Sequence, residues 1–195
     1  MNKNENKELK TLKGKVNHIF IDTETTGLGV FSGTTRKDQI IEIGACWREG
    51  ENIRTVGARC NPGIEYLENA GEALKLQGRT KEEVLACQDI TEVSSIIKEK
   101  LSAIPHAVFH AWNIPFDRYF VEQAPWHINL EWGEDPMIMA SRDMGYSYDR
   151  IALWKAVNFY DIGMDETIKF HHALSDAYLA MRVWEEINKR NGVKL

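Results

Sequence analysis

The chain has 195 residues, 43% hydrophobic and 27% charged, which suits one globular domain and excludes a disordered chain, a collagen-like fibre or a coiled coil. Its apolar runs are only a few residues long, too short to span a bilayer, and the first eight residues lack the apolar stretch of a signal peptide. With a net charge of −5 there is no broad basic field, so either nucleic acid is not the substrate or it is gripped over a short footprint where metal ions supply the positive charge.

Residues 1–15, rich in Lys, Asn and Glu, read as a mobile tail ahead of a single domain over 16–195. A strand runs from Val16 through Ile19, Phe20 and Ile21 into Asp22. A second covers 39–47 and a third about 53–60, with a Gly/Ser/Thr loop over 29–38 between the first two. Three strands in quick succession predict an antiparallel meander. Helical spacing then covers 65–77 and stops at Gly78, and Thr80 to Glu83 form a capping box opening a short helix. Residues 91–103 are amphipathic through Val93, Ile96, Ile97 and Leu101. A buried strand at 107–110 leads to a helix over 116–123, and Asp135-Pro136 start another that reaches about Asp143. Helices at 150–159 and 173–188 complete an α/β sandwich with a mixed sheet. Trp154 and Trp184 fall on apolar helix faces and are expected in the core. Trp126 and Trp132, in the least regular stretch, are expected to be more exposed. Cys46, Cys60 and Cys87 lack metal-site spacing and fit buried thiols in a reducing cytoplasm.

Three constellations carry chemistry. On the first strand, Asp22 and Glu24 share one face, about 6–7 Å apart, and repel each other unless a cation lies between them. Oxygen-only ligands suit Mg²⁺ or Mn²⁺. An acidic strand end without function is the alternative for this pair alone. Asp117, in Asn113-Ile-Pro-Phe-Asp117, follows a strand's C-terminal end, where a helix-start acid facing the macrodipole is the simpler alternative. Asp176, in His171-His-Ala-Leu-Ser-Asp176, lies at the edge of the last helix's apolar arc, so it needs a partner. A metal is one; an arginine or a water cluster is another.

Together, Asp22-Thr-Glu-Thr-Thr-Gly-Leu28, the strand Gln39-Ile-Ile-Glu-Ile-Gly44, Asn113-x-x-Phe-Asp117 and His171-x₄-Asp176 resemble the motifs of the DEDDh (DnaQ-like) 3′–5′ exonuclease family. Within it the likeness is nearest to the proofreading epsilon subunit of bacterial DNA polymerase III, and it runs from about Val16 to Ile187. The resemblance implies a ribonuclease H-like fold, a five-stranded mixed sheet flanked by helices on both faces. It also implies two divalent cations, Mg²⁺ or Mn²⁺, held by Asp22, Glu24, Asp117 and Asp176, with His171 as general base. By the same likeness, Thr25, Thr26, Gly27 and Leu28 would embrace the terminal nucleotide, with Asn113 nearby as a further substrate contact. The implied activity is hydrolysis from a 3′ end, releasing nucleoside 5′-monophosphates. A catalytically silent module of this fold, binding a nucleic-acid end or a protein, is the alternative; it would have no need to keep four carboxylates and a histidine.

One departure from the family is Trp112, where a histidine is common; packing is the favoured role for it. On a continuous helix His172 would face Asp176 more nearly than His171 does, at i,i+4. The family register instead selects His171, provided it precedes the helix. The expected partner is nucleic acid with a free 3′ end, DNA in preference to RNA, with a polymerase or replication protein as a further partner and no membrane. The short stretch after the last helix favours a stand-alone enzyme, or one that binds its partner through its folded surface, and the expected location is cytoplasmic.

Overall fold

The computed structural model describes residues 16–33, 37–147, 150–164 and 166–193; the tail read over 1–15 lies outside them. Strands β1 (Asn17–Thr25), β2 (Ile40–Glu49) and β3 (Asn52–Arg59) form the expected antiparallel meander. The β2–β3 hairpin closes through Gly50, whose φ of 64° suits glycine in a tight turn. Strand β4 (Ala107–His110) then pairs parallel to β1, giving the order β3-β2-β1-β4.

Four strands, not the expected five, form the sheet among the described residues. Where a fifth would lie beside β4, the chain makes one parallel bridge, Phe109 to Trp132. Two hydrogen bonds hold it, from Phe109 N–H to Glu131 O and from Gly133 N–H to Phe109 O. The pairing stops because Gly133 is pressed against the His110 ring, 2.4 Å from where a Cβ would stand, and Asp135 then turns the chain into a helix.

The helices are α1 (Ile64–Leu67), α2 (Gly71–Leu76), α3 (Lys81–Leu85), α4 (Ile90–Ser102), α5 (Ile114–Glu122), α6 (Pro136–Asp143), α7 (Leu153–Phe159) and α8 (Ala173–Arg190). The Thr80–Glu83 capping box and the Asp135 N-cap are both formed. The single helix expected over 65–77 is two, α1 and α2, interrupted over 68–70, where Asn69 has low helix propensity and Gly71 opens the second helix.

Alternation along the strands divides the core. Ile19 and Ile21 of β1, with Ile43 and Ala45 of β2, pack against Val93, Ile97 and Leu101 of α4 and Phe120 and Val121 of α5. Phe20 and Cys46 point the other way, onto Ala177, Ala180, Met181 and Trp184 of α8. A further cluster joins α8 to α6 and α7 through Leu179, Val183, Met137 and Val157. Helices therefore cover both faces, and α8 is sandwiched between the sheet and two other helices.

Two tryptophans depart from expectation, while Trp184 is buried against Phe20 and Cys46 as expected. Trp126 is 1% exposed within the α4–α5 cluster, whereas Trp154 is 52% exposed. The buried stripe of α7 is Leu153, Ala156 and Val157, and Trp154 falls one residue off it. Ile96 is likewise exposed beside the buried stripe Val93, Ile97 and Leu101. Trp112 packs between two core clusters and donates its indole N–H to Ile151 O at 3.0 Å.

Candidate active site

The alternation that places Phe20 over α8 continues down β1. Asp22 and Glu24 belong to the same row and open toward the N-terminus of α8, while Thr23 belongs to the row of Ile19 and Ile21 that faces α5. Thr23 Oγ1 donates to Asp117 Oδ1 at 2.8 Å, fixing the carboxylate of α5 at the end of β1. Asp117 is 1% exposed. The start of α5 is held in turn by Asp135, which accepts from the Asn113 and Ile114 amides at 3.2 and 2.8 Å. Asn113 takes a left-handed φ of 80° to make that entry. Asp135 thus caps α6 and also ties down the turn that aims Asp117.

Asp176 is delivered by a close backbone contact. Asp22 pairs with Gly44 across the β1–β2 ladder. A Cβ at Gly44 would stand 2.4 Å from Leu174 N and 2.6 Å from Ala173 C. Only a glycine lets the first turn of α8 lie directly on the sheet, opposite Asp22. Asp176 Oδ2 accepts the His171 amide at 3.0 Å, and its Oδ1 is buried with no hydrogen-bond partner among the described residues.

His171 precedes α8, in a turn where its φ is 63°, and His172 occupies the N-cap position. Glu24, His171 and Asp176 each offer a ligand atom within 4.8 Å of the other two. The neighbouring His172 points elsewhere: its Nδ1 lies 3.0 Å from Arg79 Nη2. Strand, turn and helix therefore bring Asp22, Glu24, Asp117, Asp176 and His171 to one place.

The electrostatics are those of acids crowded out of water. Burial first, then Asp117, Asp176, Glu24 and Glu42, holds the Asp22 carboxyl well above the usual range. Glu24 is pushed up to about 8 by burial and then by Asp176, Glu42 and Asp117, with a hydrogen bond from Gln77 opposing. Burial lifts Asp117 to about 8 against the Thr23 hydrogen bonds, and Asp176 to about 7 against the His171 amide. Four carboxyls in this state, one with an orphaned oxygen, form a hard oxygen donor set that a divalent cation would satisfy.

Next to the carboxylates lies a cleft of ≈ 460 Å³ lined by Thr25, Thr26, Gly27, Leu28, Gln77 and Phe116, among others. Asp38 shapes its floor: it accepts from Thr26 Oγ1 at 3.0 Å and from Gly29 N–H at 2.9 Å. A Cβ at Gly27 would stand 2.7 Å from Asp38 Oδ1. Leu28 projects at the rim, 58% exposed. Asp38, Gln77, Glu42, Arg79 and the second role of Asp135 escaped the sequence reading. Their partners are distant in the chain, and only the Glu42 position, inside the β2 motif, carried any signal.

The family model for exonucleases of the RNase T type matches residues 19–184, which spans every group just described. The chain belongs to this exonuclease family. No curated protein sequence matches it. Among solved structures it is similar to Escherichia coli exonuclease I in its zinc-bound complex with single-stranded DNA, at 18% identity and a TM-score of 0.63, covering 91% of this chain and 41% of that one. The complex of the same enzyme with a dT13 oligonucleotide gives 18% identity and a TM-score of 0.67, covering 91% and 42%. A moderately thermophilic exonuclease I from Methylocaldum szegediense gives 19% and 0.66, covering 91% and 41%. The exonuclease family member described here thus shares the fold of one part of those enzymes and spans about two fifths of their length.

Proposed function

We propose that this chain is a metal-dependent 3′–5′ exonuclease of DEDDh type and ribonuclease H-like fold that releases nucleoside 5′-monophosphates, with single-stranded DNA as its preferred substrate. One observation carries the reading: His171 and the carboxylates of β1, α5 and α8 converge beside a nucleotide-sized cleft, and Asp176 Oδ1 is left buried without a partner. Family membership supports nuclease chemistry, and the motif register supports the 3′ end. The similar exonuclease I structures hold single-stranded DNA, which supports the substrate.

Asp22, Glu24, Asp117 and Asp176 would hold the divalent cations. When bound, these supply polarisation of the attacking water and charge stabilisation at the leaving 3′ oxygen. The remaining work belongs to the chain's own residues. His171 takes a proton from the attacking water, from a turn whose backbone is fastened to Asp176. Thr25 to Leu28 bind the terminal nucleotide, with Leu28 against its base, and Asp38 keeps that loop in shape. Thr23 keeps Asp117 in register with the strand.

The test compares single-stranded DNA and RNA oligonucleotides with free and blocked 3′ ends, with Mg²⁺ or Mn²⁺, products being identified by mass spectrometry. Mononucleotides from the free 3′ end alone are expected, faster from DNA. Equal degradation of blocked and free substrates, or fragments from a circular single strand, would identify an endonuclease instead.

A further inference from the structure

Arg79 lies in the turn between α2 and α3, yet its side chain is only 12% exposed and reaches the border of the active site. Its Nη2 bonds Glu42 Oε2 and also meets His172 Nδ1 at 3.0 Å. A guanidinium has no acceptor, so His172 Nδ1 accepts and the imidazole proton sits on Nε2. Glu42 is the residue paired with Glu24 across the β1–β2 ladder. Arg59 Nε donates to the same Glu42 oxygen at 3.1 Å, so two arginines cover that charge, while the contact with His172 is made by Arg79.

His172 stands at the N-cap of α8, but its side chain makes no capping bond; the imidazole is turned to Arg79. The residue before it, His171, has a left-handed backbone at φ 63°, a conformation that persists only where neighbouring contacts enforce it. Two such contacts flank it: the His171 amide bond to Asp176, and the Arg79–His172 bond. The same short segment grips β1 as well, since Gln77 Nε2 donates to Thr25 O at 3.1 Å. Gly78, at φ 63°, makes the bend that lets Gln77 and Arg79 reach in different directions.

We propose that Arg79 is a positioning residue, clamping His172 so that the adjacent His171 is aimed at Glu24 and Asp176. Simple neutralisation of Glu42 would not need the bond to His172. The catalytic consequence rests on the exonuclease reading above; the clamp itself does not.

The experiment uses the full chain and five variants, Arg79→Met, His172→Ala, the double variant carrying both of these, His172→Asn and His171→Ala. Asparagine at 172 keeps an acceptor near the place of Nδ1. Arg79→Met and His172→Ala are each expected to lower kcat on single-stranded DNA by about 10- to 100-fold, with KM within about twofold. The double variant should be no worse than Arg79→Met alone, and His172→Asn should recover most of the loss. Amide exchange by NMR on the metal-free protein gives a readout independent of activity. The His171 amide should exchange at least about tenfold faster in Arg79→Met and His172→Ala, with the Ile43 amide unchanged. Parental His171 exchange in His172→Ala overturns the clamp, and this arm survives even if Arg79→Met fails to fold. Parental kcat in Arg79→Met and His172→Ala beside a crippled His171→Ala also overturns it. An unimpaired His171→Ala instead removes His171 from the role of general base, and absence of cleavage by the parent chain sinks the exonuclease reading; in either case the exchange arm decides the clamp alone.

Discussion

At the scale of single residues, the site is a set of acids held against their own repulsion. Each of Asp22, Glu24, Asp117 and Asp176 carries a raised pKa caused first by burial. Replacing one by its amide removes a charge that the metal-free fold tolerates poorly. Asp22→Asn or Asp176→Asn should therefore abolish cleavage while leaving thermal stability in EDTA equal or higher, and Mn²⁺ should raise Tm less than in the parent. Full activity in both variants would end the metal-dependent reading. His171→Ala should lose about 10²–10⁴ in rate, the usual cost of a missing general base. Local pattern located the acids, through strand alternation for Asp22 and Glu24, a helix start for Asp117 and the edge of an apolar arc for Asp176, but their grouping and the choice of His171 over His172 came from the family resemblance, since helical spacing alone favours His172. Arg79 and Gln77 were not legible. Nothing local marks a residue whose partners, His172 and Thr25, are brought near only by folding.

At the scale of elements, the contact between β2 and the start of α8 is decisive. Gly44→Ala would drive a Cβ into the backbone of Ala173 and Leu174, which cannot rotate away as a side chain would. The helix must lift, carrying Asp176 and His171 with it. A loss of about 1–3 kcal/mol in urea unfolding is expected, together with weaker stabilisation by Mn²⁺ and a loss of activity larger than the stability change alone would give. Unchanged activity would show that the helix start tolerates displacement. The strands of the meander, the capping box and the Asp135 cap were readable because local chemistry determines them. The fifth strand was not, since whether residues 131–133 extend a sheet depends on the His110 ring across the gap. The burial of Trp126 and the exposure of Trp154 also escaped, because a short amphipathic stripe leaves one neighbouring position undecided.

At the scale of the whole molecule, two buried groups of opposite sign set the pH response. His110 is pushed down to about 4, by burial first, so the unfolded chain binds more protons between pH 4 and 6.5 and stability falls as pH drops through that range. The site carboxyls act the other way. Their folded values of about 7 to 8 lie above those of free acids, so the folded chain holds more protons and stability in EDTA falls as pH rises toward 8. The carboxyls outnumber the one imidazole, so Tm measured in EDTA should fall as pH rises from 4.5 to 8.5, less steeply below about 6.5 where His110 opposes them, and Mn²⁺ should reduce the fall. A fall that Mn²⁺ leaves untouched would assign it to other groups. The site also fixes an order of events during synthesis. Asp22 and Glu24 emerge early, whereas His171 and Asp176 lie on the last helix and the turn before it. A growing chain can pair β1 with β2 long before α8 exists, but the proposed hydrolytic centre is incomplete until that helix closes over Gly44. On the proposed assignment, nascent protein would be inert toward nearby nucleic acid and would become a nuclease in the same step that docks α8 on the sheet.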